Sequence, residues 1–157
     1  MPLTTAMSQE TAIITLTQRR PANAQQVVQG IVALSAEERL RSRYLCQTEN
    51  GIELLLSLPR GTVLHEGDLL TTAAADWWVR VQAKAEPILK VEAPSPLDLL
   101  RATYHLGNRH VPLEVTATAL KLSPDPVLKE MLEHLGATVT ELVEPFYPET
   151  GAYHHAH

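Results

Sequence analysis

The stretch Tyr104-His105-Leu106-Gly107-Asn108-Arg109-His110-Val111-Pro112 and the last residues His154-His155-Ala156-His157 gather the side chains best suited to metal chemistry. A neutral imidazole is a ligand for borderline divalent ions such as nickel, copper and zinc. Neither segment supplies a plausible nucleophile. One imidazole in the body of the chain and several near its end describe a protein that takes up a metal ion and passes it on. A single imidazole cannot hold such an ion, since even zinc sites use about four ligands. A two-fold dimer that brings His110 to its mate would supply two. A flexible span of 12 residues from Pro145 would reach roughly 20 Å, enough to carry tail imidazoles to that point.

The remaining candidates are weaker. His105 follows Tyr104 on a helix, where an exposed histidine is the plainer reading and a peripheral ligand the alternative. His134 near a helix end and His65 in a turn are explained without function. Cys46 lies in a strand with no metal-spaced partner and reads as a small core residue. The Trp77-Trp78 pair reads as packing. Glu114 is the nearest acid to His110, a pairing that rests on sequence proximity alone. The chain contains no His-x-x-x-His pair, Cys-x-x-Cys, P-loop or Gly-x-Ser-x-Gly, which argues against an enzyme.

Composition limits the partners. The chain has 157 residues, 13 basic against 18 acidic side chains and a formal charge of −5, whereas phosphate backbones call for a basic surface. No nucleic acid is expected. One cysteine permits no internal disulfide and makes the cytoplasm the default compartment. Met1 to Glu10 lacks a cationic region followed by an apolar core, and no apolar run approaches a membrane span. No membrane association is expected.

The elements that must position these residues fall into two halves. The first is β-rich. Thr11 to Leu16 is β-branched, and Arg43–Gln47 and Gly51–Leu56 flank Glu49-Asn50-Gly51, a strong hairpin signal. Further turns fall at Pro59-Arg60-Gly61 and Glu66-Gly67-Asp68, and Trp78 to Ala83 alternates with Val79, Val81 and Ala83 on one face. A small barrel or sandwich is expected. Ser35 to Arg39 could start a short helix.

The second half reads strand (Ile88–Glu92), helix, two strands (Val111–Thr116 and Ala119–Leu122), helix, strand (Thr138–Val143). Ser95-Pro96-Leu97-Asp98 opens the first helix with a hydroxyl cap, proline at N1 and a carboxylate at N3. Leu97, Leu100 and Tyr104 recur at helical spacing and Gly107 reads as its left-handed stop. Asp125-Pro126 opens the second helix, with Leu128, Met131, Leu132 and Leu135 apolar and Gly136 closing it. The order is the split βαβ of ferredoxin-like domains. After Pro145 little is left to bury, so a disordered tail is expected. The fold class is thus α+β: a small β domain over 1–83, a ferredoxin-like βαββαβ domain over 84–146 and a short flexible tail over 147–157.

The chain resembles the urease accessory protein E family of nickel metallochaperones. The match is carried by Leu58-Pro59-Arg60-Gly61-Thr62-Val63-Leu64 with Gly67-Asp68, by Tyr104 through Leu113, and by Asp125-Pro126-Val127-Leu128 with Met131-Leu132 and Leu135-Gly136. It ends on Pro145-Phe146, Pro148-Glu149 and Gly151-Ala152-Tyr153. The resemblance implies an N-terminal domain like the peptide-binding domain of Hsp40 chaperones and a ferredoxin-like metal-binding domain. It also implies a homodimer with Ni(II) at the two-fold, held by His110 from each subunit. Delivery to the urease apoprotein would run through a complex with the accessory GTPase. Some members carry histidines on either side of an Asp where this chain has Pro124 and Pro126, so that peripheral site is not expected here. The tail is short beside long histidine-rich ends, which implies low storage capacity. Cu(II) and Zn(II) should also bind in vitro, copper more tightly by the Irving–Williams order. The rivals are a metal-dependent hydrolase with His110 as a ligand and a peptide-binding scaffold indifferent to His110.

Overall fold

The computed structural model describes residues 12–151. The chain divides into two compact units, Met1–Gln82 and Ala83–His157, and no described helix is long and apolar enough to cross a membrane.

The first unit is built from β1 (Ile14–Leu16), β2 (Gln18–Arg20), β3 (Gly30–Leu34), β4 (Arg43–Gln47), β5 (Glu53–Ser57), β6 (Leu69–Thr71) and β7 (Trp78–Ala83). They form a three-stranded sheet ordered β1-β5-β4 and a four-stranded sheet ordered β2-β6-β7-β3. The Asn-Gly hairpin is present: β4 and β5 pair antiparallel and Gly51 takes a φ of +84°, which glycine adopts without penalty. Val79 and Val81 of β7 join Leu16, Val32, Leu54, Leu56 and Leu70 in the core. One turn of 3-10 helix (Glu38–Leu40) follows Ser35, whose hydroxyl accepts the Glu38 N–H while the Glu38 carboxylate accepts the Ser35 N–H. Each side chain caps the other's backbone. Arg19 and the His65 N–H both bind the buried Asp68 carboxylate, which fixes the Glu66-Gly67-Asp68 turn.

The second unit contains β8 (Ala85–Glu92), α1 (Pro96–Asn108), β9 (Glu114–Val115), β10 (Leu120–Leu122), α2 (Pro126–His134) and β11 (Thr138–Pro145). Its sheet is antiparallel in the order β11-β8-β10-β9, so the split βαβ reading holds. Leu89 and Val91 of β8 and Leu120 and Leu122 of β10 pack with Leu99, Ala102 and Leu106 of α1 and Leu128 and Leu132 of α2. Strand boundaries shift outward at β8 and β11, because their antiparallel register runs uninterrupted from Thr138–Glu92 to Pro145–Ala85.

Three expectations are corrected here. Leu97, Leu100 and Tyr104 do recur at helical spacing, but they are 53%, 66% and 67% exposed; the core is carried by Leu99, Ala102 and Leu106 on another face of α1. Gly107 does not stop α1: it lies inside the helix, its φ is not positive, and the left-handed residue is His110. The chain after Pro145 is not idle either. Phe146 is 2% exposed and the Glu149 N–H donates to the Leu113 carbonyl at 2.6 Å, so the chain at Glu149 meets the segment that follows His110.

Candidate metal centre

Local sequence sets α1 at both ends. The Ser95 hydroxyl accepts the Asp98 N–H at 3.2 Å and Pro96 takes the first helical position, where its missing N–H costs nothing. At the far end the Val111 N–H reaches back to the Leu106 carbonyl at 3.2 Å and the His110 N–H to the Gly107 carbonyl at 3.0 Å. These six-to-one and five-to-two bonds are a Schellman closure, which requires its C′ residue to be left-handed. Here that residue is His110, at φ +58°. The end of α2 is built the same way, with Ala137 N–H to Leu132 and Gly136 N–H to Glu133, both at 3.0 Å, but its C′ residue is Gly136 at φ +87°. A histidine therefore occupies a position that the sister helix gives to glycine. An L-residue held left-handed costs roughly 1–2 kcal/mol, although His tolerates the region better than most. Strain of this kind gathers at functional positions. The imidazole is exposed, and Leu106 and Val111 on either side of the closure pack into the core.

Around His110 the structure brings some candidates close along the chain and leaves others apart. His105 is exposed on α1 and meets Tyr104 edge-on, with ring centroids 5.8 Å apart. Glu114 is not free to serve as a base: Lys121 Nζ lies 3.5 Å from its Oε2 and 2.6 Å from Glu144 Oε1. The hydrogen bond to Glu144, reinforced by the charge of Glu114 and outweighing burial, raises the lysine above its ordinary pKa. His134 pairs loosely with Glu130 at 3.7 Å, and His65 is exposed in its turn. The Cys46 thiol is half-buried and its pKa is pushed up to about 11, by burial first and then by the charge of Glu38. It is inert packing. Among the described residues no group of three or more His, Cys, Asp or Glu is arranged to hold a metal. His154, His155 and His157 lie outside the described residues.

Sequence reasoning missed two features of this region. One is the exposed Leu97-Leu100-Tyr104 stripe, which was legible as apolar but not as outward-facing. The other is Lys121, which pairs with Glu114 opposite it on the neighbouring strand and also with Glu144, on a strand beyond α2.

The described residues thus present one exposed, left-handed histidine on a ferredoxin-like unit that follows a β-rich unit. Comparison with known proteins identifies the family. Residues 11–84 match the N-terminal domain, and residues 86–157 the C-terminal domain, of the UreE urease accessory protein family. The urease accessory protein UreE of Nostoc punctiforme is 51% identical over 148 residues, covering 92% of this chain and all of that protein. That of Thermosynechococcus vestitus is 52% identical over 142 residues (90% and 99%), and that of Acinetobacter baumannii strain AYE 48% over 127 (80% and 79%). The chain belongs to the UreE urease accessory protein family and is not an enzyme.

Proposed function

We propose that this chain is a nickel metallochaperone, binding Ni(II) at a homodimer interface through His110 of each subunit and delivering it for maturation of the urease active site. The observation that carries the reading is the exposed His110, its backbone held left-handed by the closure of α1, the helix that bears an exposed apolar stripe. Leu97, Leu100 and Tyr104 span about 10 Å of helix at 1.5 Å per residue, and a second copy packed on the C-terminal part of that stripe would draw two His110 residues to one axis. Two imidazoles underfill a nickel ion. Water, partner ligands and His154, His155 and His157 would complete the sphere, with His105 peripheral. The Glu149 N–H is hydrogen-bonded to the Leu113 carbonyl, and His154 lies five residues on in the sequence.

An open, exchangeable sphere of nitrogen and oxygen donors suits transfer better than a closed cage. Cu(II) and Zn(II) would compete in vitro, so delivery specificity falls to the partners, the urease apoprotein and the accessory GTPase. The cytoplasm is the compartment where this exchange would occur. The test is delivery itself. Nickel-loaded chain mixed with urease apoprotein and the accessory GTPase should generate urease activity, and His110→Ala chain at equal total nickel should not. Equal activation by both would overturn the reading.

A further inference from the structure

We infer that Gly107 is a positioning residue: it leaves the last turn of α1 bare, so that a second copy of this chain can approach closely enough for two His110 imidazoles to share one ion. Gly51, Gly61, Gly67 and Gly136 take positive φ, and a Cβ on Gly30 would meet Thr48 Cγ2 at 2.9 Å. Gly107 has neither reason to be glycine. It lies inside α1, its φ is not positive, and a Cβ there would meet nothing within 4 Å beyond its own turn. Glycine within a helix is less stable than alanine, because it loses more backbone freedom on folding. The closure of α1 does not demand it either. The His110 N–H ends on the Gly107 carbonyl, and the matching bond of α2 ends on the Glu133 carbonyl, both at 3.0 Å. The same position thus holds a good helix former where the same geometry recurs. Nothing within the described chain requires glycine at 107, so the requirement comes from outside it.

Gly107 stands three residues past Tyr104 and seven past Leu100, so it continues the helix face on which those two side chains are exposed. The occupant is a second copy of this chain, a step that rests on the function proposed above. His110 follows three residues on, and among the described residues no group of three or more His, Cys, Asp or Glu is arranged to hold a metal, so its lone imidazole needs a mate. A two-fold axis that joins two His110 residues also sets the preceding turn of each α1 near that axis, because the same surface serves on both sides. Imidazole–metal bonds run about 2.0–2.1 Å, which holds the two coordinating nitrogens within about 4 Å of each other. Helices with side chains at the contact pack with their axes about 8–10 Å apart, and a bare Cα lets backbones come nearer. Leu100 and Tyr104 supply the apolar contact, and Gly107 sets how deep it can close.

The experiment uses the full chain. Gly107→Ala and Gly107→Leu are made in the wild-type sequence and in a Leu100→Glu background, where the charged stripe keeps the chain monomeric. In that background both substitutions should raise Tm by roughly 2–8 °C, since each puts a good helix former into open space. In the wild-type sequence, sedimentation should show the metal-free dimer weakened about ten- to hundredfold, more by leucine than by alanine, because added groups overpack a close contact. Nickel affinity, measured by chelator competition at concentrations that keep each variant dimeric, should fall about tenfold or more as the two rings are held apart. A Gly107→Ala protein equal to wild type in dimerisation and nickel affinity, or a tighter dimer in Gly107→Leu, would overturn the inference. A lower Tm in the monomeric background would overturn it too, since the glycine would then serve its own chain, as would a Leu100→Glu protein that dimerises like wild type. Weaker dimers in both variants, with nickel binding indifferent to His110→Ala, would uphold the close approach and sink the metal site proposed above.

Discussion

His110→Gly should make the protein more stable while destroying its metal site. The φ of +58° at His110 costs an L-residue roughly 1–2 kcal/mol that glycine does not incur. Against this, glycine loses more conformational freedom on folding, a penalty of about 0.4–1 kcal/mol. The side chain is exposed, so little packing is lost. The net gain is about 0.5–1 kcal/mol, which for a unit of this size raises Tm by roughly 2–8 °C. His110→Ala removes the same imidazole but keeps the strain, so its Tm should stay at or slightly below the wild-type value. The reciprocal change, Gly136→Ala at φ +87°, should cost about 1 kcal/mol or more. Calorimetry of the metal-free proteins, paired with nickel isotherms, separates the two effects. A His110→Gly protein less stable than both wild type and His110→Ala would refute the argument that this histidine is held in a costly conformation for the sake of its imidazole.

Four further outcomes are expected. Leu100→Glu places a charge on the exposed stripe, so the isolated fold should change by no more than about 0.5 kcal/mol; sedimentation should show dimerisation weakened about a hundredfold, since two apolar side chains are lost per interface. Imidazole ligands must be deprotonated, and imidazoles ordinarily titrate near ~6.5. Nickel affinity should therefore fall as pH drops from about 7.5 to about 5.5, and a flat profile would point to carboxylate or backbone ligands. Removing residues 154–157 should lower total nickel or weaken the central site without abolishing the dimer; loss of all binding there, with none in His110→Ala, would make the tail alone the carrier. With its pKa near about 11, Cys46 should alkylate at pH 8 on the order of a hundredfold more slowly than an ordinary thiol of pKa ~8.5, and unfolding should abolish the difference.

Local chemistry was legible wherever one residue decides one bond. Ser95-Pro96, Asp125-Pro126, Gly136 and Asn50-Gly51 all act in the structure as their types require. What was not legible depends on contacts made across the chain. β2 is Gln18-Arg19-Arg20, with no strand signature, and exists because it pairs with Leu69–Thr71 some fifty residues on. β3 was within reach, since Ile31-Val32-Ala33-Leu34 is an apolar run followed by the Ser35–Glu38 box. α1 carries two apolar stripes of equal period, and periodicity alone cannot say which one the sheet covers. Gly107 and His110 exchanged roles for a similar reason. Glycine is the usual left-handed residue, but the closure is placed by which carbonyl Val111 reaches as its partly buried side chain packs against the core that holds Leu106. His110 was found as a candidate ligand by residue type, and its backbone conformation came only from the fold.

The central claim is a metal ion shared between two His110 residues, and the most direct test is a nickel titration followed by native mass measurement. One nickel bound tightly per dimer, lost in His110→Ala while the dimer survives, is the predicted result. A nickel bound to each monomer regardless of residue 110 would contradict it.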